Sequence, residues 1–543
     1  MNTGKVFLFS SVAGSASSDF HFHKSNFFCQ PSWPDIMTNS KSSLFSRFLN
    51  LVEKGGNALP NPATLFALFA LAVLLVSWLG SMLGWQAIHP ATQEVLQVNN
   101  LLSKEGFRRI VLEMVTNYTG FAPLGIVMVA LLGIGIAESS GLVGAAIRVL
   151  VLKSPRQMLT FVIVLTGVLS NAASDLGYVL LIPMAGVIFH SSGKHPVAGM
   201  AAAFAGVSGG FSANLFIGTI DPLLAGLSTE AARILDPAYY VMPTANYYFM
   251  AVSTLLIAVT GTWVTERIVI PRLGVYDGDV IPEPIDKLNP LERKGLFWVA
   301  VTAVAWMGIF AAGLVPDHGF LRGEDNTVLH SPVIKGFIAF LFFMATSFGL
   351  VYGFVTRKFK SDNDVIKGMS ESFKTLASFL VLAFFAAQFV AYFKWSNLGL
   401  VLAVKGASML QQADLSLVSL IILFVLLTGF INLFMGSASA KWAIMGPVFI
   451  PMFMLLGYSP ELSQAIFRVG DSVTNIISPM MSFFALIIVF FAKYQKNTGL
   501  GTLISTMLPY TLVFTVFWTL LLVIWAVLDL PLGPEAPVHY IKP

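Results

Sequence analysis

Long stretches without a charged side chain dominate this sequence. The first, at 62–84, has 23 residues without Asp, Glu, Lys or Arg, which is enough for one helix to span a bilayer. Residues 85–120 are more polar, and apolar side chains from Phe107 to Val115 recur there at helical spacing. This pattern predicts an amphipathic helix on the membrane surface. Further uncharged or nearly uncharged stretches lie at about 121–152, 157–193, 196–228, 237–265, 295–316, 336–356, 375–393, 415–460, 462–492 and 497–530.

The composition supports the same class of protein. Only 11% of the 543 residues are charged and 56% are hydrophobic, whereas a soluble domain carries about 25% charged residues. We therefore predict an all-α polytopic membrane protein. Residues 1–40 are interpreted as a disordered polar tail, 41–530 as the transmembrane domain and 531–543 as a C-terminal tail.

Several other classes are excluded by what the sequence lacks. Cys29 is the single cysteine, so neither an internal disulfide framework nor a cysteine-built metal site is possible. The sequence has neither an HExxH motif nor a Walker A motif. Without a Walker A motif, it gives no indication of an ATP-driven pump. The net charge of +4 is small and dispersed, so nucleic acid is not an expected partner.

The loops differ in their content of Lys and Arg, which predicts the orientation of the chain. The segments 266–294 and 357–374 each hold five such residues, whereas 317–335 holds only Arg322 and Lys335. Because cytoplasmic loops are enriched in Lys and Arg, we expect both basic loops and the N-terminus in the cytoplasm. Residues 317–335 are then expected outside.

The two halves of the chain share a pattern at a nearly constant offset. The first unit, about 120–266, follows an expected external segment, whereas the second, about 375–530, follows a cytoplasmic loop. The two units are therefore expected to be inverted repeats, an architecture of secondary transporters whose site lies between the repeats. The matches are Thr166-Gly167 with Thr428-Gly429, Asn171 with Asn432, Pro183 with Pro447, Pro196 with Pro460, and Gly141-Leu142-Val143 with Gly399-Leu400-Val401, at offsets of 258 to 264.

Both units contain helices that we expect to be interrupted by Gly, Pro, Asn and Ser. The interruptions are predicted at 169–177, 206–222, 432–440 and 468–479. Gly permits the backbone to leave the helix, and Pro removes a hydrogen-bond donor. Unwound carbonyls and polar side chains then offer oxygen ligands for sodium, while helix N-termini there face an anion.

Between Leu415 and Ala492 only four residues are charged: Lys441, Glu461, Arg468 and Asp471. Glu461 follows Pro460 and is expected in a loop. Arg468 and Asp471 share a helical face and form either a buried ion pair or a functional pair. In the second case, Asp471 is an ion ligand or proton site and Arg468 faces an anionic substrate. Lys441 either snorkels to the interface or faces the cavity.

Other residues at the interruptions have two interpretations each. Asp221 and Asp175 are ion-site carboxylates or helix caps. Trp442 is a substrate-stacking ring or a member of an interfacial belt.

A rival class is suggested by Gly206-Val207-Ser208-Gly209-Gly210, which fits the GxSxG pattern of serine hydrolases. A serine nucleophile needs a base within hydrogen-bond reach, and the nearest histidines lie at a polar turn. Small residues that permit close helix approach are the favoured interpretation. An intramembrane serine hydrolase and a passive channel remain as alternatives.

The same interruptions carry a family resemblance. The runs SNAASDLGYVLLIP, AAAFAGVSGGFSANLFIGTIDPLLAG, INLFMGSASAKWA, FRVGDSVTNIISPMMSFF and GTLISTMLPY resemble the p-aminobenzoyl-glutamate transporter (AbgT) family from about Val52 to near the C-terminus. That family is similar in architecture to sodium-coupled dicarboxylate transporters. The resemblance implies a homodimer in the bacterial inner membrane, with about nine spanning helices and two re-entrant hairpins per protomer.

The resemblance also implies roles for individual residues. Asn432 and Asp471 would bind sodium, with Asn171, Asp175 and Asn214 as weaker ion-site candidates. No other cofactor is expected. The residues implied to be needed for transport are Asp221, Ser439, Trp442, Pro460, Arg468, Asp471 and Pro479.

Two activities are implied by the resemblance: uptake of p-aminobenzoyl-glutamate and proton-driven export of sulfonamide antimetabolites. The first substrate has an aromatic amide and two carboxylates, which suit Arg468, helix N-termini and an indole ring. The sulfonamides share its aniline ring but lack the glutamate. Asp471 suits sodium or proton coupling, since a carboxylate either coordinates or titrates.

Overall fold

The computed structural model describes residues 60–88, 94–152, 154–172, 176–280, 288–328, 330–496 and 498–540. The predicted tail at 1–40 lies outside the described residues, and so does Asp175. The described residues are mainly helical, as predicted. Helices of the first half are α1 Pro62–Met82, α2 Lys104–Thr119, α3 Ala122–Ser139, α4 Leu142–Leu152, α5 Leu159–Ser170, α6 Ile182–Ser191, α7 Pro196–Phe204, α8 Ile220–Ala232, α9 Tyr247–Val264 and α10 Ile270–Leu273.

The second half begins with a long helix and continues with several short ones. Its helices are α11 Pro290–Leu314, α12 Pro332–Lys335, α13 Phe337–Val355, α14 Asp362–Trp395, α15 Leu398–Gln412, α16 Leu417–Asn432, α17 Ala438–Leu455, α18 Pro460–Asn475, α19 Phe484–Tyr494 and α20 Leu500–Val527. Shorter turns are the 3₁₀ turn Arg156–Met158 and the π-helical turns Gly177–Leu181, Ala205–Gly209 and Thr265–Val269.

Seven helices in the described part of the chain are long and apolar enough to cross a membrane, or eight if the bent pair 362–374 and 379–395 is one span. Several remaining apolar helices have only 10–17 residues, shorter than the approximately 20 residues that a full crossing needs. Short helices border three of the predicted interruptions, those at 169–177, 206–222 and 432–440. The prediction for 468–479 is wrong in where the break starts, because α18 continues to Asn475 and includes Arg468 and Asp471. The protein is therefore a multi-pass helical membrane protein with broken helices.

Three local features differ from the sequence expectation or add to it. Residues 86–88 and 95–97 form a small antiparallel pair of strands that the hydropathy pattern did not indicate. Helix α14 begins at Asp362, within the segment expected to be a loop, because the Asp364 carboxylate caps it by accepting from the backbone N–H of Ser361 at 3.1 Å. The predicted surface helix appears as α2, with Phe107 and Val115 exposed.

The segment expected as a C-terminal tail is packed against the protein. The backbone N–H of Ser459 donates to Val538 O at 2.9 Å, and Tyr540 N donates to Gly457 O at 2.9 Å. Leu532 and Val538 are fully buried. Residues up to 540 therefore hold the start of α18 in place.

The helices pack in two groups that meet along α3. The first group contains α1, α3, α11, α13 and α14, with contacts between α3 and α13 and between α1 and α14. The second contains the short and broken helices, with α16 against α18, α17 against α8, and α9 against both α5 and α20. Helix α3 packs on α14 in the first group and on α8 in the second.

Two close crossings bring the broken helices together. An added Cβ at Gly206 would lie 2.3 Å from Val164 O, and one at Gly470 would lie 2.5 Å from Val425 O. Both glycines therefore permit backbone contact between helices that a side chain would prevent. For Gly206, this is the packing role that the sequence analysis preferred over hydrolase chemistry.

Candidate substrate and ion site

Helices α5 and α16 end within the protein at equivalent asparagines. Asn171 follows the last residue of α5, and Asn432 is the last residue of α16. Both side chains are buried, at 6% and 0% exposure. Beyond Asn432 the chain leaves the helix until Ser437, whose hydroxyl accepts from Ala440 N at 3.3 Å and starts α17.

Asn432 joins the end of α16 to α18. Its amide nitrogen lies 2.7 Å from Asp471 O, 2.9 Å from Thr474 Oγ1 and 2.8 Å from Asn475 Oδ1. Its own backbone carbonyl accepts from Ser478 Oγ at 2.9 Å. The two helix ends are thereby fixed to each other by polar contacts in a buried environment.

Lys441 completes this arrangement with a positive charge. Its ammonium donates to Asn432 Oδ1 and forms an ion pair with Asp471 Oδ1. The side chains of Lys441 and Asp471 are 0% and 1% exposed. Of the two sequence alternatives for Lys441, snorkelling to the interface is therefore excluded. Asp471 Oδ2 has no hydrogen-bond partner among the described residues.

Arg468 is paired across the two halves of the chain. Its Nη2 lies 2.5 Å from Asp221 Oδ1, and the two side chains are 3% and 4% exposed. Asp221 Oδ2 accepts from Gly218 N at 2.7 Å, so the carboxylate also binds the turn before α8. The contacts of Arg468 and Asp471 are thus with other partners, Asp221 and Lys441, rather than with each other.

Arg468 and Asp471 are each in a buried ion pair, but with partners on other helices. A buried ion pair does hold helices together, but it joins Arg468 on α18 to Asp221 on α8. A second pair joins Asp471 to Lys441 on α17. Asp221 lies in the first turn of α8, where it accepts from Gly218 N, and it is buried in contact with Arg468.

The indole of Trp442 lies within the protein and not in an interfacial belt. Its ring stacks on Phe467, with centroids 4.5 Å apart, and Trp442 is fully buried. The indole N–H donates to Ser228 Oγ at 2.8 Å, and Ser228 donates to Gln464 Oε1 at 2.7 Å. Trp442 therefore packs α17 onto α18 and bonds it to α8.

Glu461 contradicts the expectation that it lies in a loop. It stands in the first turn of α18, is 3% exposed, and accepts from Tyr239 Oη at 2.9 Å. Ser459 caps this helix by accepting from Leu462 N at 3.1 Å, and Pro460 occupies its first position. Proline is favoured there because the first backbone N–H of a helix has no intrahelical partner.

A cavity of about 630 Å³ lies between the two groups of helices. One wall comes from α3 and α14, and it includes Glu138, Glu371 and Phe379. The other wall comes from the broken helices, and it includes Asn171 and Ser439 among the predicted residues. The remaining lining residues are Val127, Leu131, Gly135, Ser139, Phe211, Thr219, Ile220, Leu223, Gly368, Ser372 and Leu376.

Two features of the second wall bear on what the cavity can bind. Asn171 Nδ2 is buried and has no hydrogen-bond partner among the described residues. Ile220 and Ser439 occupy the first turns of α8 and α17, so the N-termini of two helices lie at the same wall. A wall of this kind favours an anion, because helix N-termini carry partial positive charge.

The other predicted residues are placed near the breaks without lining the cavity. Asn214 is buried and accepts from Phe216 N at 3.2 Å. Pro479 lies in the non-helical stretch between α18 and α19. Arg468, Asp471 and Trp442 stand behind the cavity wall, within the contacts between helices.

Both side-chain oxygens of the predicted sodium site already contact a cation. Asn432 Oδ1 and Asp471 Oδ1 both contact Lys441 Nζ. Two unit charges about 4 Å apart repel by about 4 kcal/mol at an effective dielectric constant of about 20. These oxygens therefore do not fit a sodium ion while Lys441 holds its position. Within the described part of the chain, no cluster of three His, Cys, Asp or Glu residues offers another metal site.

The protein is a polytopic membrane protein built around an internal site. This class is defined by its broken helices, its two buried ion pairs between helices and the cavity between the two helix groups. A model of the AbgT putative transporter family matches residues 47–540. This chain belongs to that family. The hydroxyl of Ser208, the serine of the GxSxG pattern, is buried and has no hydrogen-bond partner among the described residues.

Named relatives extend the comparison. The p-aminobenzoyl-glutamate transport protein of Escherichia coli (strain K12) is 37% identical over 496 residues, which cover 91% of this chain and 97% of the relative. The YdaH transporter of Alcanivorax borkumensis is 46% identical, with a TM-score of 0.83 over 88% of this chain and 100% of that chain. MtrF of Neisseria gonorrhoeae, described as illuminating a class of antimetabolite efflux pumps, is 51% identical. Its TM-score is 0.85, over 90% of this chain and 100% of that chain.

Proposed function

We propose that this protein is an ion-coupled secondary transporter that moves p-aminobenzoyl-glutamate across the bacterial inner membrane. The observation that carries the proposal is the 37% identity to a p-aminobenzoyl-glutamate transport protein over nearly all of that protein's length. The internal cavity supports it, since its volume of about 630 Å³ lies in the range of small-molecule sites, about 300–1,000 Å³.

The glutamate end of the substrate is assigned to the wall formed by the broken helices. Its carboxylates would meet the N-termini of α8 and α17 and the side chain of Asn171, whose Nδ2 has no hydrogen-bond partner among the described residues. Ser439 adds a hydroxyl donor in the first turn of α17. Helix N-termini and amide donors are ordinary partners of carboxylates.

The aniline end is assigned to the opposite wall. The side chains of Glu138 and Glu371 line that wall, and both are acceptors for the p-amino group. Phe211 and Phe379 also line the cavity and provide apolar surface for the aromatic ring. This orientation places donors opposite the carboxylates and acceptors opposite the amine.

Arg468, Asp471, Asp221 and Trp442 then act on transport through the position of the helices. Each of their side chains is engaged within the protein by an ion pair, a ring contact or a hydrogen bond. Direct contact between Arg468 and the glutamate requires the pair with Asp221 to open. Pro460 and Pro479 are assigned to the start of α18 and to the break after it.

Export of sulfonamide antimetabolites is the second candidate function. It is favoured by the 51% identity to MtrF, which is described with a class of antimetabolite efflux pumps. Sulfonamides share the aniline ring but lack the glutamate. In the proposed orientation, they use the Glu138 wall and leave the Asn171 wall without a ligand.

The membrane arrangement is part of the same proposal. The N-terminus is assigned to the cytoplasm and two such chains to a homodimer, each with two inverted repeats, about nine spanning helices and two re-entrant hairpins. The paired crossings at Gly206 and Gly470, which are 264 residues apart, support the repeat. We assign the cavity opening to the cytoplasmic side, because Glu371 lines the cavity, is half-exposed and belongs to the segment 357–374 that is assigned to the cytoplasm.

Uptake into liposomes tests both candidate functions. Purified protein is reconstituted, and labelled p-aminobenzoyl-glutamate is followed with sodium and pH gradients imposed separately, beside protein-free liposomes. We expect accumulation under one of the gradients. A potential of 100 mV supplies about 2.3 kcal/mol per charge, or roughly fifty-fold accumulation. Movement under neither gradient would refute this substrate, and proton-driven exit of a sulfonamide alone would replace it with the second candidate.

A further inference from the structure

The ammonium of Lys441 lies where a dissociable cation was expected. Asn432 Oδ1 and Asp471 Oδ1 are the two side-chain oxygens predicted to hold sodium, and Lys441 Nζ contacts both. All three side chains are buried. We propose that Lys441 is a tethered cation that permanently occupies this position, so that the second-half site binds no sodium ion.

The position of Lys441 is not explained by the stability of its own helix. It lies in the first turn of α17, where its backbone N–H donates to Ser437 O at 3.1 Å. A positive side chain is unfavourable at this end, because the helix N-terminus already carries partial positive charge. Burial adds a desolvation cost for the ammonium. The carboxylate of Asp471 and the amide oxygen of Asn432 provide the compensation.

The charge balance around the breaks supports the same conclusion. Lys441 balances Asp471, and Arg468 balances Asp221, each within a buried pair. Glu461 lies at the opposite end of α18 and binds Tyr239. The charges that the structure describes at the breaks therefore cancel without an added ion, and a sodium ion beside Lys441 would leave an excess buried positive charge.

The first half lacks such a cation at the corresponding place. Asn171 corresponds to Asn432 at an offset of 261, and the same offset from Lys441 leads to Leu180, an apolar residue. Asn171 Nδ2 has no partner among the described residues. The two halves are thus chemically different, with a buried ion pair at the second-half asparagine and an uncharged amide at the first.

This inference deepens the proposed function, since it states which cation the transporter's second-half site holds. Its test does not depend on transport. Lys441→Met removes the ammonium, and the methionine side chain ends one atom short of it, which leaves room for an ion beside Asp471. The full-length protein, K441M, K441R and K441M/D471N are purified, and the Tm of each is measured in NaCl and in KCl at equal ionic strength.

We expect K441M to show a saturable, sodium-specific rise in Tm of several degrees relative to the unmodified protein. K441R should show no such gain, because it keeps the positive charge. K441M/D471N should show none either, because it removes the carboxylate. Sodium stabilisation of the unmodified protein that is lost in K441M/D471N would overturn the proposal. So would K441M without any sodium-specific gain. If K441M does not fold, the comparison of the unmodified protein with K441M/D471N still decides the question.

Discussion

The ion pair between Arg468 and Asp221 predicts a large, non-additive effect on stability. Asp221→Ala would leave the Arg468 guanidinium buried without its carboxylate, and Arg468→Met would leave the Asp221 carboxylate without its cation. Both side chains are less than 5% exposed and their closest atoms are 2.5 Å apart. Breaking a buried pair in this way costs about 3–5 kcal/mol.

The magnitude can be expressed as a change in Tm. An unfolding entropy of about 2.1 cal/mol/K per residue over about 500 residues gives about 1 kcal/mol/K, so each single variant should lose roughly 3–5 °C. The double variant D221A/R468M should lose much less than the sum, because no uncompensated charge remains. Thermal unfolding of the four detergent-purified proteins completes the cycle. Single losses below about 1 °C, or fully additive losses, would refute the buried pair.

Three further predictions concern packing, chemistry and pH. Gly470→Ala should lower the Tm and yield of folded protein, because the new Cβ would lie 2.5 Å from a carbonyl of α16, whereas Gly308→Ala has open space and should be neutral. Ser208→Ala should retain substrate uptake in liposomes, whereas a serine hydrolase would lose all activity. Hydrogen bonding by His330 is the main cause that lowers the pKa of Asp325 to about 2 from 3.8. Because this pKa is depressed, the stabilisation that the Asp325 carboxylate provides is complete above pH 3.8 and is lost as the pH falls through 2. Hydrogen exchange of residues 317–328, measured as a function of pH, should show that loss. In His330→Ala the loss should occur at higher pH.

The helical class and the places where the helices break follow directly from the sequence. Long uncharged stretches admit only spanning helices, and Gly, Asn and Pro within them mark the positions where the backbone leaves the helix. Asn171 and Asn432 are accordingly found at helix ends. Ser459-Pro460-Glu461 is a helix-start pattern, so the sequence contains the signal for the start of α18 that the expectation of a loop at Glu461 overlooks.

The residues that pair with the buried charges could not be predicted from the sequence. Arg468 and Asp471 share a helical face, which makes a local pair the simplest expectation. Their observed partners, Asp221 and Lys441, come from other helices, and which helices meet depends on close crossings such as that at Gly470. The burial of Trp442 has the same origin, because its stacking partner Phe467 is brought by α18.

In the proposed function, the cavity between the two helix groups binds p-aminobenzoyl-glutamate through the wall that contains Asn171. The direct measurement is equilibrium binding of the labelled compound to the purified protein, Asn171→Leu and, as a surface control, Asn363→Leu. We predict that Asn171→Leu raises Kd at least about tenfold, which is about 1.4 kcal/mol, and that the control leaves Kd unchanged. Equal Kd values for all three proteins would contradict the assignment of this cavity as the substrate site.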